Sequence, residues 1–339
     1  MTTTQTSVVH DLGTLAHRLS HPARTPCVCE PPQVLADRPD GTVVRSGAIV
    51  AKAHAADTDR AALTARIALA AAPQLAGILL PPLTAPEPAA PTARPVTLWP
   101  LGAPVDPTDP GAAPWAEAAD LLARLHRTEP PFPLPPMRGP AKAARAVARM
   151  RAALRGDAIT PPRDPAVEPG DAPAPPRDPA VLSVLAGWRA LPAWARGEAP
   201  ALRADALCHG DLHLGQLVRH PAPDGPWLLI DMDDAGVGDP AWDLGRPAAW
   251  YAAGLLAPED WSTFLDAYRA AGGPAVPADG DPWPALDVPA RALTVQTAAV
   301  ALAKCAAEQR DPDDHEQLMI ESCARIATLP PELATGPAS

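Results

Sequence analysis

The chain has 339 residues and carries 28 Lys and Arg against 39 Asp and Glu, a net charge of -11. That length can bury a substantial core and form two lobes, and the acidic balance, with no clustered basic face, excludes an electrostatic nucleic-acid partner. Five cysteines make no disulfide framework, no apolar run approaches the ~18 residues of a membrane span, and the first residues lack a signal-peptide pattern, so the expectation is a cytoplasmic protein without a membrane partner.

In chain order, residues 8–19 are apolar with helical spacing, and residues 22–26 connect onward through prolines. Cys27 and Cys29 are the only close cysteine pair. No second pair follows at zinc-ligand spacing, so they read as small buried hydrophobes. Residues 33–36 and 42–45 flank Asp37-Arg-Pro-Asp-Gly41, a hairpin-type turn, and residues 48–53 return after Ser46-Gly47. The three runs predict an antiparallel meander. Lys52 lies in its third strand. With only three lysines in the chain (Lys52, Lys142 and Lys304), one kept in a strand gains functional weight over the ordinary reading of a surface lysine.

Residues 59–72 predict a helix that contains no glutamate. Residues 74–80 and 95–99 are expected to complete the sheet, and Pro100 to Pro107, punctuated by Gly and Pro, is expected to be a hinge. Residues 115–127 form an amphipathic helical pattern ending at His126. From 129 to 180 the chain is proline-rich, broken by a predicted helix over 141–154. Here Pro161-Pro-Arg-Asp-Pro-Ala-Val167 recurs as Pro175-Pro-Arg-Asp-Pro-Ala-Val181, a local duplication and not a solenoid, which needs several repeats. Helical patterns return over 182–195, 247–256, 258–271, 289–307 and 315–329. Glu259, Asp260 and Asp266 are read as a solvated helix face, with an acidic acceptor pocket as the alternative.

The stretch from 207 to 244 carries the chemistry. His209-Gly-Asp-Leu-His-Leu-Gly-Gln216 is followed by the apolar run at Leu217-Val218, the turn residues 221–226 and the apolar run 227–230. The two runs predict a hairpin, which gathers Asp211, Gln216 and Asp231 around its ends. Carboxylates so crowded repel one another unless a cation joins them. Oxygen ligands from Asp and Gln favour a hard ion such as Mg²⁺, which completes its shell with phosphates. Asp211 then suits the task of orienting and deprotonating a hydroxyl nucleophile.

His209-Gly-Asp-Leu-His-Leu-Gly-Gln216, with Ile230-Asp-Met-Asp-Asp-Ala-Gly-Val-Gly-Asp-Pro-Ala-Trp-Asp-Leu244 after it, resembles the catalytic motif of the aminoglycoside phosphotransferase family. The resemblance implies an α+β, two-lobed protein-kinase-like fold, with a small antiparallel-sheet lobe over 1–99 and a hinge over 100–107. A mainly helical lobe over 108–330 follows, with a proline-rich insertion around 156–180. It implies ATP and Mg²⁺ as cofactors and a small-molecule hydroxyl acceptor, either an aminoglycoside or a sugar or amino sugar. Asp211 becomes the catalytic base, Asp231 the main metal ligand, and Asp243 a structural acid behind the catalytic loop. Gln216 stands where the family usually has Asn and becomes the second metal ligand. Its Leu-Gly-Gln context is similar to maltokinase-like sugar kinases. Lys52 becomes the cation for the nucleotide phosphates, and the backbone from Val96 through Trp99 to Leu101 borders the adenine. The missing helix glutamate and the Asn-to-Gln change keep a second reading open, a nucleotide-binding pseudokinase that serves as a regulatory or interaction module, which the intact Asp211 and Asp231 oppose.

Overall fold

The structure, a computed structural model, describes residues 3–21, 30–38, 40–84, 94–155 and 178–329. The Cys27 and Cys29 pair and most of the proline-rich insertion lie outside the described residues. Helix α1 (Thr3–Ser20) precedes the meander of β1 (Gln33–Arg38), β2 (Gly41–Ser46) and β3 (Ile49–His54). Gly47 turns β2 into β3 at φ 55, a left-handed position that suits glycine. In α2 (Arg60–Ala70) the Asp59 side chain caps the first turn by accepting from the Ala61 and Ala62 amides. Strand β4 (Val96–Pro100) completes a sheet of order β1-β2-β3-β4.

Residues 74–80 do not join that sheet. Pro73 opens a 3-10 turn over Pro73–Leu75, and Gly77 reverses the chain at φ 74. Only Leu79 pairs, in parallel, with Leu229. Beyond β4, the stretch expected to be a plain hinge contains β5 (Ala103–Pro104), which pairs with a strand over a hundred residues later. Helices α3 (Trp115–Arg127), α4 (Gly139–Leu154) and α5 (Pro179–Ala190) follow. Then come β6 (Ala206–Cys208), the hairpin β7 (Leu217–Arg219) and β8 (Trp227–Leu229), and β9 (Gly236–Gly238). The chain closes with α6 (Ala241–Ala253), α7 (Pro258–Ala270), α8 (Trp283–Glu308) and α9 (Asp314–Ile326). The small antiparallel sheet towards the N-terminus and the helical C-terminal half are the α+β class expected from the sequence.

Two compact units form. The first comprises Met1–Leu121, Thr128–Pro135 and Leu214–Asp233. Its first core lies between α1 and the sheet, where Leu12 and Ala16 meet Val44, Ala51, Ala53 and Leu98. Side chains alternate along a strand, so Lys52, between Ala51 and Ala53, projects from the face opposite that core. A second cluster of Leu80, Val218 and Leu228 supports the sheet of order β5-β7-β8. The backbone of Leu229 binds Ile78 and Leu80, which ties the hairpin to residues 78–80.

The second unit comprises Leu122–Arg127, Pro136–His213 and Asp234–Ser339. Its core gathers Val147, Met150, Val184, Trp242, Val295, Ala298 and Ile320 around α8. A side chain on Gly245 would place its Cβ 2.9 Å from Pro289, so glycine lets α6 and α8 pack backbone to backbone. Asp313 and Glu316 form a reciprocal capping box at the start of α9. No described helix is long and apolar enough to cross a membrane.

Candidate active site

In the first unit, β3 delivers Lys52 and the β8 exit delivers its partners. The Lys52 Nζ lies 2.6 Å from Asp231 Oδ1 and 2.9 Å from Asp233 Oδ2. Burial alone would lower the lysine, but the two carboxylates outweigh it and hold the ammonium above the usual lysine range. Asp231 sits at φ 62, a left-handed backbone that asparagine and aspartate tolerate better than most residues. That turn aims Asp231 and, two residues on, Asp233 at one ammonium. Burial opposes ionisation of Asp233, yet His54 and Lys52 overcome it and hold the carboxyl well below the usual range.

A polar relay continues behind Asp233. His54 Nδ1 is 3.2 Å from Asp233 Oδ2, and His54 Nε2 is 2.9 Å from Thr97 Oγ1. The Trp99 indole N–H donates to the same Thr97 oxygen at 3.0 Å. An acceptor-only carboxylate on one side assigns the proton to His54 Nδ1, so the Thr97 hydroxyl donates to Nε2. Strand register explains the convergence, because Lys52 stands opposite Thr97 and Val50 opposite Trp99. Gln216 is buried, and its backbone carbonyl accepts the Ile230 amide at 2.9 Å. The hairpin therefore seats Gln216 across from Ile230, one residue from Asp231.

In the second unit the loop that carries His209, Gly210 and Asp211 is held from behind. Asp243 accepts the His209 amide at 2.6 Å on Oδ2 and the Gly210 amide at 2.7 Å on Oδ1. His126 Nε2 lies 3.0 Å from Asp243 Oδ2, and His126 Nδ1 lies 2.7 Å from the Tyr268 hydroxyl. The Tyr268 oxygen accepts the Ala275 amide at 3.1 Å. Its own proton therefore goes to His126 Nδ1, and His126 Nε2–H donates to Asp243. Gly210 takes φ 84, and a Cβ there would overlap the Asp234 carbonyl oxygen. Only glycine fits where the loop crosses Asp234.

The loop presents Asp211 with a cation on each oxygen. Lys142 Nζ is 2.5 Å from Oδ2, and Arg246 Nη2 is 2.6 Å from Oδ1. Burial raises the Asp211 carboxyl, but Arg246 and Lys142 outweigh it, and the net shift is downward. Lys142 also reaches Asp234 Oδ2 at 2.7 Å. His213, beside Asp211, is pushed down to about 4 by burial and by Arg246.

Of the residues singled out in the sequence, Lys52 and Asp231 are in direct contact. The Trp99 ring shares the sheet face of Lys52, whereas Val96 stands opposite Ala53 and packs against the α1 core. At Leu101 the amide donates to Ala48 at 2.8 Å, and the carbonyl faces His220 Nδ1 at 3.3 Å. Of the three acids read as a solvated helix face, Glu259 and Asp266 are exposed and Asp260 is half-buried. The Tyr251 ring stacks on both Trp261 and Trp283, with Trp261 buried.

Sequence reasoning missed Lys142, Arg246, Asp233 and His54 as members of these clusters. The scarcity of lysine was the one signal pointing to Lys142. Oxygen donors from Asp231, Asp233 and Gln216 suit a hard divalent cation. His126, Cys208 and Asp243 also bring ligand-type atoms within 4.8 Å of one another. That trio does not fit a metal, because His126 and Asp243 are committed to each other. Burial also pushes the Cys208 thiol well above its usual range, so it stays protonated.

The sequence pattern of the phosphotransferase enzyme family matches residues 40–287. Among solved structures, the fold is similar to a thermostable mutant of aminoglycoside phosphotransferase APH(4)-Ia in a ternary complex with AMP-PNP and hygromycin B. The identity is 14%, the match covers 95% of this chain and 98% of that one, and the TM-score is 0.54. Spectinomycin phosphotransferase APH(9)-Ia, in complex with ADP and spectinomycin, matches at 11% identity over 86% of this chain and 92% of that one, with a TM-score of 0.50. A choline/ethanolamine kinase family protein from Mesorhizobium loti matches at 18% identity over 95% and 97%, with a TM-score of 0.49. No match is found among curated proteins.

Proposed function

The chain belongs to the phosphotransferase enzyme family, as a small-molecule kinase with a hydroxyl acceptor, and on that premise we propose that it transfers a phosphoryl group from ATP, with Mg²⁺, to a hydroxyl of a sugar or aminoglycoside. Asp211 orients the acceptor hydroxyl. Lys52 neutralises the nucleotide phosphates, and Asp231 and Gln216 hold the metal, whose bound charge supports the phosphate negative charge. The backbone of Val96 and Leu101 and the Trp99 ring border the adenine. Transfer of this kind is mostly positioning and charge neutralisation, and these side chains supply both.

The observation that carries the reading is the meeting of Lys52 with Asp231 at 2.6 Å from positions 179 residues apart. A phosphate-binding cation beside a metal-binding acid is what a metal–nucleotide pair requires. The pseudokinase alternative keeps the support of the missing helix acid, because α2 carries none, while Asp231 and Asp233 pair with Lys52 in its place. Between the two acceptor classes, the ion pairs around Asp211 favour a neutral polyol. Asp211 and Asp234 are already compensated by Lys142, Arg246 and Arg138, which leaves little field there to attract an ammonium. The test is ADP release from MgATP across a panel of neutral sugars, amino sugars and aminoglycosides. Acceptor-dependent release supports the proposal, and none across the panel supports the pseudokinase.

A further inference from the structure

We infer that Lys142 is a positioning residue for phosphoryl transfer, an ammonium on α4 that holds the Asp211 carboxylate in its ionised, hydroxyl-accepting orientation. The inference rests on the functional reading given for Asp211 and adds a residue that lies outside the catalytic motif. Lys142 sits in the first turn of α4, 69 residues before its partner. It is one of only three lysines in a chain whose other 25 basic residues are arginines.

The geometry is that of a clamp. Lys142 binds Asp211 Oδ2 at 2.5 Å and Asp234 Oδ2 at 2.7 Å, while Arg246 binds Asp211 Oδ1 at 2.6 Å. The lysine itself is anchored. The Arg138 amide just before α4 donates to the Asp234 carbonyl at 2.9 Å, and the Met137 amide donates to Val237 at 3.0 Å. Gly139 lies so close to the Trp242 indole that no side chain would fit there. The start of α4 is therefore fixed against β9 and α6, and Lys142 reaches the loop from a rigid base.

Each carboxylate oxygen has two lone pairs, so a cation on each still leaves Asp211 able to accept a hydroxyl hydrogen bond. An ammonium has three donors, and Asp211 and Asp234 use two of them. The titratable and charged groups facing Asp211 are Lys142 from α4, Arg246 from α6, and the imidazoles of His209 and His213 from its own loop, with Asp234 beyond Lys142. His213 titrates low, at about 4, so the loop histidine keeps one charge state through neutral pH. Removing the ammonium takes away one of the two cations that favour the ionised carboxylate, and the Asp211 pKa should rise.

The test compares wild type, Lys142→Met and Lys142→Arg, with MgATP and an acceptor found active in the panel. Thermal melting is recorded for each variant, and the Asp211 carboxyl is titrated by NMR without nucleotide. Lys142→Met is expected to lower kcat by roughly 10²-fold, the scale of a misplaced reacting group. The KM for ATP should stay within about twofold, as expected when positioning and not ground-state binding is lost. The acidic limb of kcat/KM and the Asp211 carboxyl titration should both move to higher pH, and Lys142→Arg should recover most of kcat. An unmoved carboxyl titration in Lys142→Met overturns the inference even if no acceptor is turned over. Wild-type kcat in that variant overturns it also. Absence of turnover by the wild type, with the titration moved as expected, instead sinks the proposed reaction and leaves the clamp standing. If Lys142→Met does not fold, Lys142→Arg carries the test. Loss of activity in that charge-conserving variant equal to a neutral Lys142→Gln would overturn the inference.

Discussion

The Lys52 ammonium lies 2.6 Å from Asp231 Oδ1 and 2.9 Å from Asp233 Oδ2, so the acids at the end of β8, and not a helix glutamate, hold the lysine in place. Asp233 is itself held by His54. A ligand that draws Asp231 away leaves Lys52 on Asp233, already oriented for phosphate. Replacing Asp233 with Asn should therefore weaken MgATP binding severalfold and raise KM for ATP more than it lowers kcat. Unchanged nucleotide affinity in that variant, measured by calorimetry, would contradict this role.

Asp211→Asn keeps the shape of the side chain and removes the charge that Lys142 and Arg246 face. Turnover should fall by at least ~10²-fold, the lower range for losing a positioned base, while ATP affinity changes little. Steady-state kinetics with an active acceptor, beside nucleotide titration, checks both halves. Full acceptor phosphorylation by the variant would sink the assignment of Asp211.

Asp243 takes hydrogen bonds from His126 and from the His209 and Gly210 amides with its side chain wholly buried. Asp243→Ala leaves those donors buried and unpaired. Each buried donor left without its acceptor costs about 1–3 kcal/mol, so the expected loss is several kcal/mol, read as a fall in the urea midpoint with an unchanged slope. His126→Ala should reproduce part of that loss, and the double variant should fall short of the sum because the two residues share one network. Strict additivity would show that the network does not act as a unit.

Much of this arrangement was legible in the sequence. The meander around Lys52, the hairpin around Gln216 and Asp231, and the helices from 115 onward follow from period-2 and helical spacing with turn residues between them. Residues 74–80 misled because an apolar run of that length suits a strand or a turn equally, and Pro73 with Gly77 decided it. The clamp on Asp211 was not legible. Lys142 and Arg246 lie on helices 69 and 35 residues away along the chain, and no local pattern marks which exposed-looking cation on an amphipathic helix will turn inward. Nor did the spacing reveal that Asp233 and His54 complete the Lys52 pair, since that depends on the left-handed turn at Asp231.

The pH dependence of stability has a predictable shape. His213 has a folded pKa of about 4 against an ordinary value of ~6.5. Between those values the unfolded chain binds the proton and the folded chain does not, so stability rises with pH across that window and falls as pH drops through it. Asp211 and Asp233 shift downward, and their contribution is lost only at lower pH, below the ordinary carboxylate range. Urea unfolding of His213→Asn between pH 4 and 7 should show a flatter slope than wild type. A slope equal to wild type would remove His213 as its source.

The central claim, that Lys52, Asp231 and Gln216 form a metal–nucleotide site, is tested most directly by thermal shift with ATP in the presence of Mg²⁺ and in the presence of chelator. Ligand at about 100 times its dissociation constant stabilises by roughly 2.7 kcal/mol, which such an assay resolves. The account predicts a large shift with Mg²⁺ and a small one with chelator. It also predicts that Asp231→Ala, whose ligand-free melting temperature falls because Lys52 loses a partner and alanine takes the left-handed backbone at that position less readily, loses the metal-dependent part of the shift. Equal ATP stabilisation with Mg²⁺ and with chelator, or a full metal-dependent shift in Asp231→Ala, would contradict it.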